Sequence, residues 1–225
     1  MKVGILLSGC GVYDGAEIHE SVLTMLALEE LGVEYVCISI DKEQHHVVNH
    51  LTGEEVSQTR NMMQESARIA RGKVINIKDI DPVDIEGLII PGGFGSAKNF
   101  TDWAFKGNEG SILPEVKLLV VNMVNVGRPI LALCVSPVVV AKSLEGSINT
   151  KMTIGSKNES SPYDIGSFEI GLQNTGVETL DKSIREVEVD VQNKIITAPC
   201  YMMDASLLEV RKNIQQGINE MIKFI

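Results

Sequence analysis

Short, continuously apolar runs alternate with longer segments of helical periodicity, and this alternation constrains the fold more than any other feature of the chain. Val3–Leu7, Leu88–Ile90 and Pro129–Leu133 are apolar throughout, and Tyr35–Ile40 is apolar except for Ser39, as strands buried on both faces are. Segments with helical spacing lie between them. The pattern predicts an α/β protein, a three-layer sandwich in which helices cover both faces of a mainly parallel sheet.

The segment Asp14–Leu31 illustrates the helical periodicity. Its broad apolar stripe contains Ile18, Val22, Met25 and Leu26, and we expect this stripe to face the core. The periodicity weakens after residue 151, but no linker, repeat or low-complexity tract appears, so residues 1–225 are predicted to form a single domain. The remaining predicted elements are helices over Ser57–Arg71, Leu113–Val126, Ser136–Leu144 and Ala205–Ile225, a strand over Val74–Ile77, an irregular or hairpin insertion over Gln44–Thr52 and a hairpin over Glu186–Ala198.

Charge and hydropathy exclude several classes of partner. The formal net charge of −10 repels phosphate groups, so nucleic acid and anionic membranes are not expected to bind. No apolar run approaches the ~20 residues that cross a bilayer, and the apolar N-terminus is interpreted as a strand because no cleavage site follows it. The widely spaced cysteines lack a CxxC pair, which favours reduced thiols in a cytoplasmic protein over disulfides or structural zinc: Cys10, Cys37, Cys134 and Cys200.

Cys134 stands at the predicted junction between a strand and a helix. A nucleophile elbow folds the chain back so tightly that the residues two before and two after the nucleophile must be small. Ala132 and Ser136 meet that requirement, and Ser136 and Pro137 suit the start of a helix. The positive end of the helix would favour the thiolate of Cys134. The alternative interpretation is a small buried hydrophobe, the usual role of a free cysteine.

The Pro91-Gly92-Gly93 turn favours a functional interpretation of Cys134. Backbone N–H groups at such a turn form half of an oxyanion hole, and the N–H after the nucleophile forms the other half. The candidate donors are therefore Gly93 and Val135. The glycines would also suit a turn with no role in chemistry.

Two glutamates near the start of the first helix are candidate acids. Asp14 followed by Glu17 resembles a capping box, which gives Glu17 a structural explanation. The box does not explain Glu20, one turn further along. Glu20 lies either on a solvated helix face or next to the thiol, where it would act as a general acid or base.

Several motifs along the whole chain together resemble the ElbB-like family. Its members are called enhancing lycopene biosynthesis or isoprenoid biosynthesis proteins, and they belong to the ThiJ/PfpI superfamily with class I glutamine amidotransferase-like architecture. The long N-terminal motif is specific to the family, whereas the PGG turn and the elbow cysteine occur throughout the superfamily. The motifs are Ser8–Glu20, Asn49–Glu54, Thr59–Asn61, Pro91–Gly95 with Ala97–Asn99, and Ala198-Pro199 with Tyr201-Met202.

The resemblance implies a flavodoxin-like sandwich, commonly a homodimer, with a reactive elbow cysteine at Cys134. Alignment on the superfamily motif implies that the acidic partner is Glu20, with Glu17 as the fallback. The family is associated with weak glyoxalase activity, which converts small carbonyl substrates such as glyoxal and methylglyoxal into hydroxy acids. That activity uses no cofactor and no metal.

The histidines depart from the superfamily pattern. All four precede residue 51, so none follows Cys134, where many relatives carry a histidine. A Cys-His-Glu triad is therefore missing unless His19 swings in from the first helix. Without a base for the thiol or an acid for a leaving amine, glutaminase and protease activities become improbable. The irregular spacing of the four histidines also argues against a metal site: His19, His45, His46 and His50.

Three functions from different classes remain. We favour a glyoxalase-like enzyme in which Cys134 attacks the aldehyde, Gly93 and Val135 hold the oxyanion, and Glu20 carries the proton. The alternative is a non-enzymatic redox sensor whose cysteine is oxidised to a sulfinate. The third is a scaffolding protein. Lactate formation that depends on Cys134 distinguishes the first from the others, and protein mass after mild peroxide distinguishes the second from the third.

Overall fold

The computed structural model describes Met1–Ile225, and its centre is one sheet of seven strands. The strands in chain order are β1 (Lys2–Leu6), β2 (Glu34–Ser39), β3 (Val47–Val48), β4 (Glu55–Val56), β5 (Val74–Asn76), β6 (Gly87–Ile90), β7 (Ile130–Leu133), β8 (Thr150–Met152), β9 (Val177–Thr179), β10 (Glu188–Asp190) and β11 (Ile195–Ala198). The sheet has the order β10-β11-β7-β6-β1-β2-β5, and only the β10–β11 pairing is antiparallel. Its five inner strands follow the flavodoxin-like order 2-1-3-4-5, so the predicted fold class is confirmed.

Helices cover both faces of this sheet. They are α1 (Ile18–Glu30), α2 (Met62–Ile69), α3 (Trp103–Lys106), α4 (Pro114–Asn125), α5 (Pro137–Leu144), α6 (Ile165–Asn174) and α7 (Leu207–Ile222). Helices α1 and α7 pack against each other on one face, and α4 and α5 pack together on the other. None of the helices combines the length and the apolar character needed to cross a bilayer.

The central strands explain the continuously apolar runs. Every residue of β6 and β7 is buried, because helices cover both faces of these strands. Burial of each Leu, Ile or Val side chain contributes ~1.5–3 kcal/mol. One hydrophobic core of 53 buried residues extends from Val3 to Met221 and holds the sheet rigidly under the loops at its carboxyl edge.

Helix α1 differs from the prediction in its start and in its buried face. It begins at Ile18 rather than Asp14, because Asp14 turns away and its Oδ2 accepts the N–H of Val48. Three residues of the predicted core stripe are exposed by 41–47%: Ile18, Val22 and Leu26. Only Met25 of that stripe is buried, and the polar side chains of Glu20, Ser21 and Thr24 share its face.

The segment after the first helix forms shorter elements than expected. The second helix begins at Met62 rather than Ser57, because Asn61 caps it by accepting the N–H of Gln64. The insertion over Gln44–Thr52 contributes β3, which pairs with β4 in a small antiparallel hairpin.

The C-terminal half contains both confirmed and unpredicted elements. The predicted hairpin is present as β10 and β11. Strands β8 and β9 and helix α6 were not predicted from the sequence. These strands have three residues each, which is too short for a periodic pattern.

Candidate active site

Four chain segments converge where β1, β6, β7 and β11 end. In this type of sheet, ligands bind beyond the carboxyl ends of the strands at the point where strand order reverses, here between β1 and β6. Glu20 enters from α1, Gly92 from the turn after β6, Cys134 from the end of β7 and Tyr201 from the turn after β11. The fold therefore brings residues that are far apart in sequence to one point.

Cys134 occupies a strained elbow between β7 and α5. Its φ angle of 56° lies in the left-handed region, which non-glycine residues rarely adopt. Its N–H donates to the carbonyl of Ala198 at 2.9 Å, and the N–H of Ser136 donates back to Leu133 at 2.9 Å. These bonds fix the turn so that the Cys134 side chain projects from the end of the sheet.

Ser136 does not cap α5 as predicted. Its hydroxyl donates to the carbonyl of Pro91 at 2.6 Å and lies 2.9 Å from the hydroxyl of Ser96. The side chain therefore ties the elbow to the Pro91-Gly92-Gly93 turn, and Pro137 at the first position of α5 supplies the helix start without a capping side chain.

Gly92 sits where no side chain fits. A Cβ atom there would lie 2.4 Å from Cβ of Cys134 and 2.6 Å from Oε2 of Glu20. The backbone N–H of Gly92 donates to that same Oε2 at 2.8 Å. The sequence pattern identified this turn through Gly93, but it is Gly92 that lets the thiol and the carboxyl approach each other.

The thiol of Cys134 lies among the groups that the sequence nominated. The N–H groups of Gly93 and Val135 point at Sγ and lower the pKa of Cys134. Burial raises the pKa of Cys134 most, and the neighbouring Glu20 raises it further. Together they leave this pKa well above its ordinary value. The expectation of a thiolate at the helix N-terminus is therefore wrong for the free site, because desolvation outweighs the dipole.

Glu20 is fully buried beside that thiol. Its carboxyl accepts the N–H of Gly92 at 2.8 Å and the N–H of Tyr201 at 3.3 Å, and it hydrogen-bonds Cys134. Burial, followed by the charge of Glu17, raises the pKa of Glu20 to about 8. At pH 7 the site therefore holds a neutral carboxyl group against a neutral thiol.

Glu17 supports the site from the start of α1. It is the N-cap residue itself, and its Oε2 accepts the N–H of Glu20 at 2.6 Å. Its own N–H donates to the carbonyl of Gly92 at 2.9 Å. The predicted Asp14–Glu17 capping box does not form, and Glu20 rather than Glu17 contacts Cys134.

An open cleft of about 420 Å³ adjoins this cluster. Glu17 lines it together with three tyrosines, of which Tyr13 and Tyr201 belong to the motifs that carry the family resemblance, whereas Tyr163 belongs to none. Burial, then Cys134 and Glu20, raise the pKa of Tyr163 to about 12, so its hydroxyl remains a hydrogen-bond donor. Tyr163 is a single tyrosine in a loop with no recognisable spacing, so no sequence pattern indicated it.

The histidines do not join the cluster. His19 lies on the rim of the cleft, where its Nδ1 is 3.0 Å from the Tyr201 hydroxyl. His46 contacts Lys98, and His50 accepts the N–H of Tyr13. No group of three or more His, Cys, Asp and Glu side chains is arranged to hold a metal ion.

The fold and the elbow define a protein with class I glutamine amidotransferase-like architecture. Drosophila melanogaster DJ-1beta shares this fold at 17% identity, with 99% of this chain and 94% of that one covered and a TM-score of 0.54. No family model matches the chain.

The chain belongs to the ElbB-like family of isoprenoid biosynthesis proteins. It is 36% identical to an isoprenoid biosynthesis protein with an amidotransferase-like domain from Ehrlichia chaffeensis, whose crystal structure it matches with a TM-score of 0.90 over 100% of this chain and 99% of that one. It is also 35% identical over 226 residues to human glutamine amidotransferase-like class 1 domain-containing protein 3, mitochondrial, with 99% of this chain and 81% of that protein covered.

Proposed function

We propose that the protein is a slow, cofactor-independent glyoxalase-like enzyme that acts on small 2-oxoaldehydes through Cys134. One observation carries the proposal: a single buried carboxyl group, Glu20, contacts the thiol, and no histidine does. Isomerisation of a 2-oxoaldehyde needs one group that moves a proton between neighbouring atoms, which a lone carboxyl provides. Amide hydrolysis needs an acid for the leaving amine, for which the cluster has no second group.

The first step is addition of sulfur to the aldehyde. Sγ of Cys134 bonds to the aldehyde carbon, the thiol proton passes through Glu20 to the carbonyl oxygen, and a hemithioacetal forms. The N–H groups of Gly93 and Val135 lie beside the sulfur and are positioned to donate to the oxygen as its negative charge develops.

The second step moves a proton between two carbons. The Glu20 carboxylate removes the proton from the carbon that carries sulfur and passes it to the neighbouring carbonyl oxygen, which gives an enediol. Glu20 then takes the proton from the hydroxyl on the sulfur-bearing carbon and delivers it to the neighbouring carbon, which gives a thioester of a 2-hydroxy acid. Water hydrolyses the thioester, releasing the hydroxy acid and restoring the Cys134 thiol. Tyr163, which lines the adjoining cleft and keeps its proton, is proposed to donate to the substrate's second oxygen.

The reaction is expected to be slow. Positioned acid–base catalysis contributes ~10²–10⁴-fold for each group, and this site has one such group instead of the usual pair. Both partners of the Glu20–Cys134 pair also hold their protons at neutral pH. Free thiolate is therefore scarce until Glu20 ionises.

The test measures lactate formed from methylglyoxal, without glutathione, by wild type and three variants. Cys134→Ala is expected to abolish turnover, and Cys37→Ser, which alters another buried cysteine on β2, is expected to preserve it. His19→Ala is expected to change the rate little, because its ring contacts Tyr201 rather than the thiol. Turnover that survives in Cys134→Ala would contradict the proposal.

Three related expectations remain proposals. The substrate partner is a small carbonyl compound, the protein is a homodimer, and its location is the cytoplasm. The exposed stripe of Ile18, Val22 and Leu26 supports the dimer, since such a face is stabilised when covered. The alternative function is a redox sensor, which the contact between Glu20 and the Cys134 thiol also suits. A redox sensor would be sensitive to peroxide and would not turn over aldehydes.

A further inference from the structure

A second buried thiol, Cys200, lies next to Cys134. Strands β7 and β11 are parallel neighbours in which Leu133 is paired with Ala198. Cys134 follows the first of these residues directly, and Cys200 is two residues beyond the second. Cys134 therefore lies opposite Pro199, one residue before Cys200. With a strand spacing of about 4.8 Å and a rise of about 3.3 Å per residue, this offset corresponds to a Cα separation of about 5.8 Å, within the range of about 4.4–6.8 Å that a disulfide spans.

The backbone holds Cys200 towards the elbow. Its φ of 45° is left-handed, like that of Cys134, and its N–H donates to Oδ1 of Asn213 at 3.0 Å. The N–H of Cys134 donates to the carbonyl of Ala198 at 2.9 Å, which fixes the elbow beside the turn that carries Cys200. The carboxyl of Glu20 reaches Gly92 beside Cys134 with one oxygen and the N–H of Tyr201, directly after Cys200, with the other. The two thiols therefore flank one buried carboxyl group.

We propose that Cys134 and Cys200 form a reversible intramolecular disulfide when the protein meets hydrogen peroxide, and that this bond switches off the nucleophile. The bond itself does not depend on the glyoxalase-like activity. Its effect on turnover rests on that proposed function.

The chemistry needs only peroxide as the oxidant. Sulfur of Cys134 attacks one peroxide oxygen, the O–O bond breaks, and sulfenic acid and one water form. Sulfur of Cys200 then attacks the sulfenic sulfur, the S–O bond breaks, and a second water leaves with the Cys200 proton. Two thiols lose two hydrogens, and one peroxide becomes two waters. A dithiol reductant reverses the change.

No other cysteine competes for this position. Cys37 lies on β2, three strands from β7 in the sheet, which puts it about 14 Å away at the usual strand spacing. Cys10 lies in the loop after β1, outside the paired strand ends. The Cys200 side chain is fully buried, so bulky thiols such as glutathione do not reach it. Cys134 is the thiol that lies next to it inside the protein.

The experiment treats the native protein with limiting peroxide and measures its intact mass; free thiols are then blocked with N-ethylmaleimide, and non-reduced peptides are mapped. Wild type is expected to lose about 2 Da and to yield a Cys134–Cys200 cross-linked peptide, as the matched control Cys37→Ser also does. Cys200→Ser is expected to gain about 32 Da as a sulfinate instead. Wild-type mapping needs no variant, so a poorly folded Cys200→Ser does not affect its result.

Two results would overturn the disulfide. One is wild type that gains about 32 Da with no cross-linked peptide, and the other is a cross-link joining different cysteines. Methylglyoxal turnover gives a separate readout: peroxide-treated wild type is expected to recover its rate in dithiothreitol, and treated Cys200→Ser is not. A reversible cross-link in a protein that never turns over methylglyoxal would contradict only the glyoxalase-like function.

Discussion

Helices α1 and α7 pack against each other on the same face of the sheet, yet they use their buried faces in opposite ways. Helix α7 follows the amphipathic pattern. Ser206 and Glu209 form a full capping box at its start, and Val210, Ile214 and Ile218 face the core. Its local sequence and its packing agree, which is typical of an element whose role is stability.

Helix α1 reverses this arrangement. Its first turns bury Glu20, Ser21 and Thr24 and expose Ile18 and Val22. Burial of an unpartnered carboxylate is strongly unfavourable, so Glu20 is tolerated because it stays neutral and accepts two backbone N–H groups. Helix α1 therefore gives up part of its apolar burial to hold an acid beside the thiol, whereas α7 supplies the packing that makes this possible.

The largest expected effect comes from removing the carboxyl group on α1. Turnover of methylglyoxal by wild type is expected to rise as pH increases through about 8, because Glu20 then becomes the carboxylate that accepts the thiol proton. Glu20→Gln is expected to lose that rise and ~10²–10⁴-fold in rate. Glu17→Gln is the matched control, and a pH profile lost in that variant instead would identify Glu17 as the acid.

The same substitution is expected to change stability in a pH-dependent way. Glu20 has a raised pKa in the folded protein, so its contribution is complete below the unfolded pKa and is lost as pH rises through about 8. Urea unfolding from pH 5 to pH 9 is expected to show wild type losing on the order of a few kcal/mol that Glu20→Gln retains. Equal slopes for the two proteins would show that Glu20 is not held neutral.

Truncation of the packed face of α7 tests whether this helix contributes to stability alone. Ile214→Ala removes a fully buried side chain and is expected to lower the free energy of unfolding by ~2–5 kcal/mol. The rate per folded molecule is expected to remain unchanged, since Ile214 lies outside the cluster. Urea titration gives the first quantity, and active-site labelling normalises the second. A large loss of rate in the folded fraction would show that α7 contributes to catalysis as well as to stability.

The smallest effect is expected on the exposed face of α1. Val22 is 47% exposed, so Val22→Ser is expected to change the free energy of unfolding by no more than ~0.5 kcal/mol when the protein is dilute. Measurements at low and high protein concentration provide the control. A larger loss that grows with concentration would show that a second copy covers the stripe.

The sequence predicted the sheet well because its central strands are governed by burial alone. Continuous apolar runs such as Leu88–Ile90 occur only where both faces are covered, and β6 and β7 lie there. The weakly periodic region after residue 151 was not predictable in this way. Strand β8 has three residues and alternates buried with exposed side chains, so neither length nor period distinguishes it from a loop.

For the candidate site, sequence reasoning found the residues but not their electrostatics. The elbow spacing around Cys134 and the glycine turn reflect steric limits that the residue types themselves reveal. The protonation of Cys134 and Glu20 depends on how much water the fold removes, and no local pattern encodes that quantity. Tyr163 reaches the site through the long-range folding of the chain, so the sequence offered no spacing by which to choose it. Cys200 lies just beyond the last predicted strand, and the carboxyl ends of such strands are where ligands bind, so its segment could be chosen from the sequence.

The left-handed backbone at Cys134 bears on how position 134 evolves. A side chain in this conformation is less favourable than glycine by ~1–2 kcal/mol. Selection for folding alone would thus drive the codon towards glycine, and every generation that keeps a cysteine there keeps a less stable protein. The residue at this position therefore reflects two opposing requirements, a thiol for function and glycine for stability. A lineage that no longer used the sulfur would be recognised by glycine at the elbow.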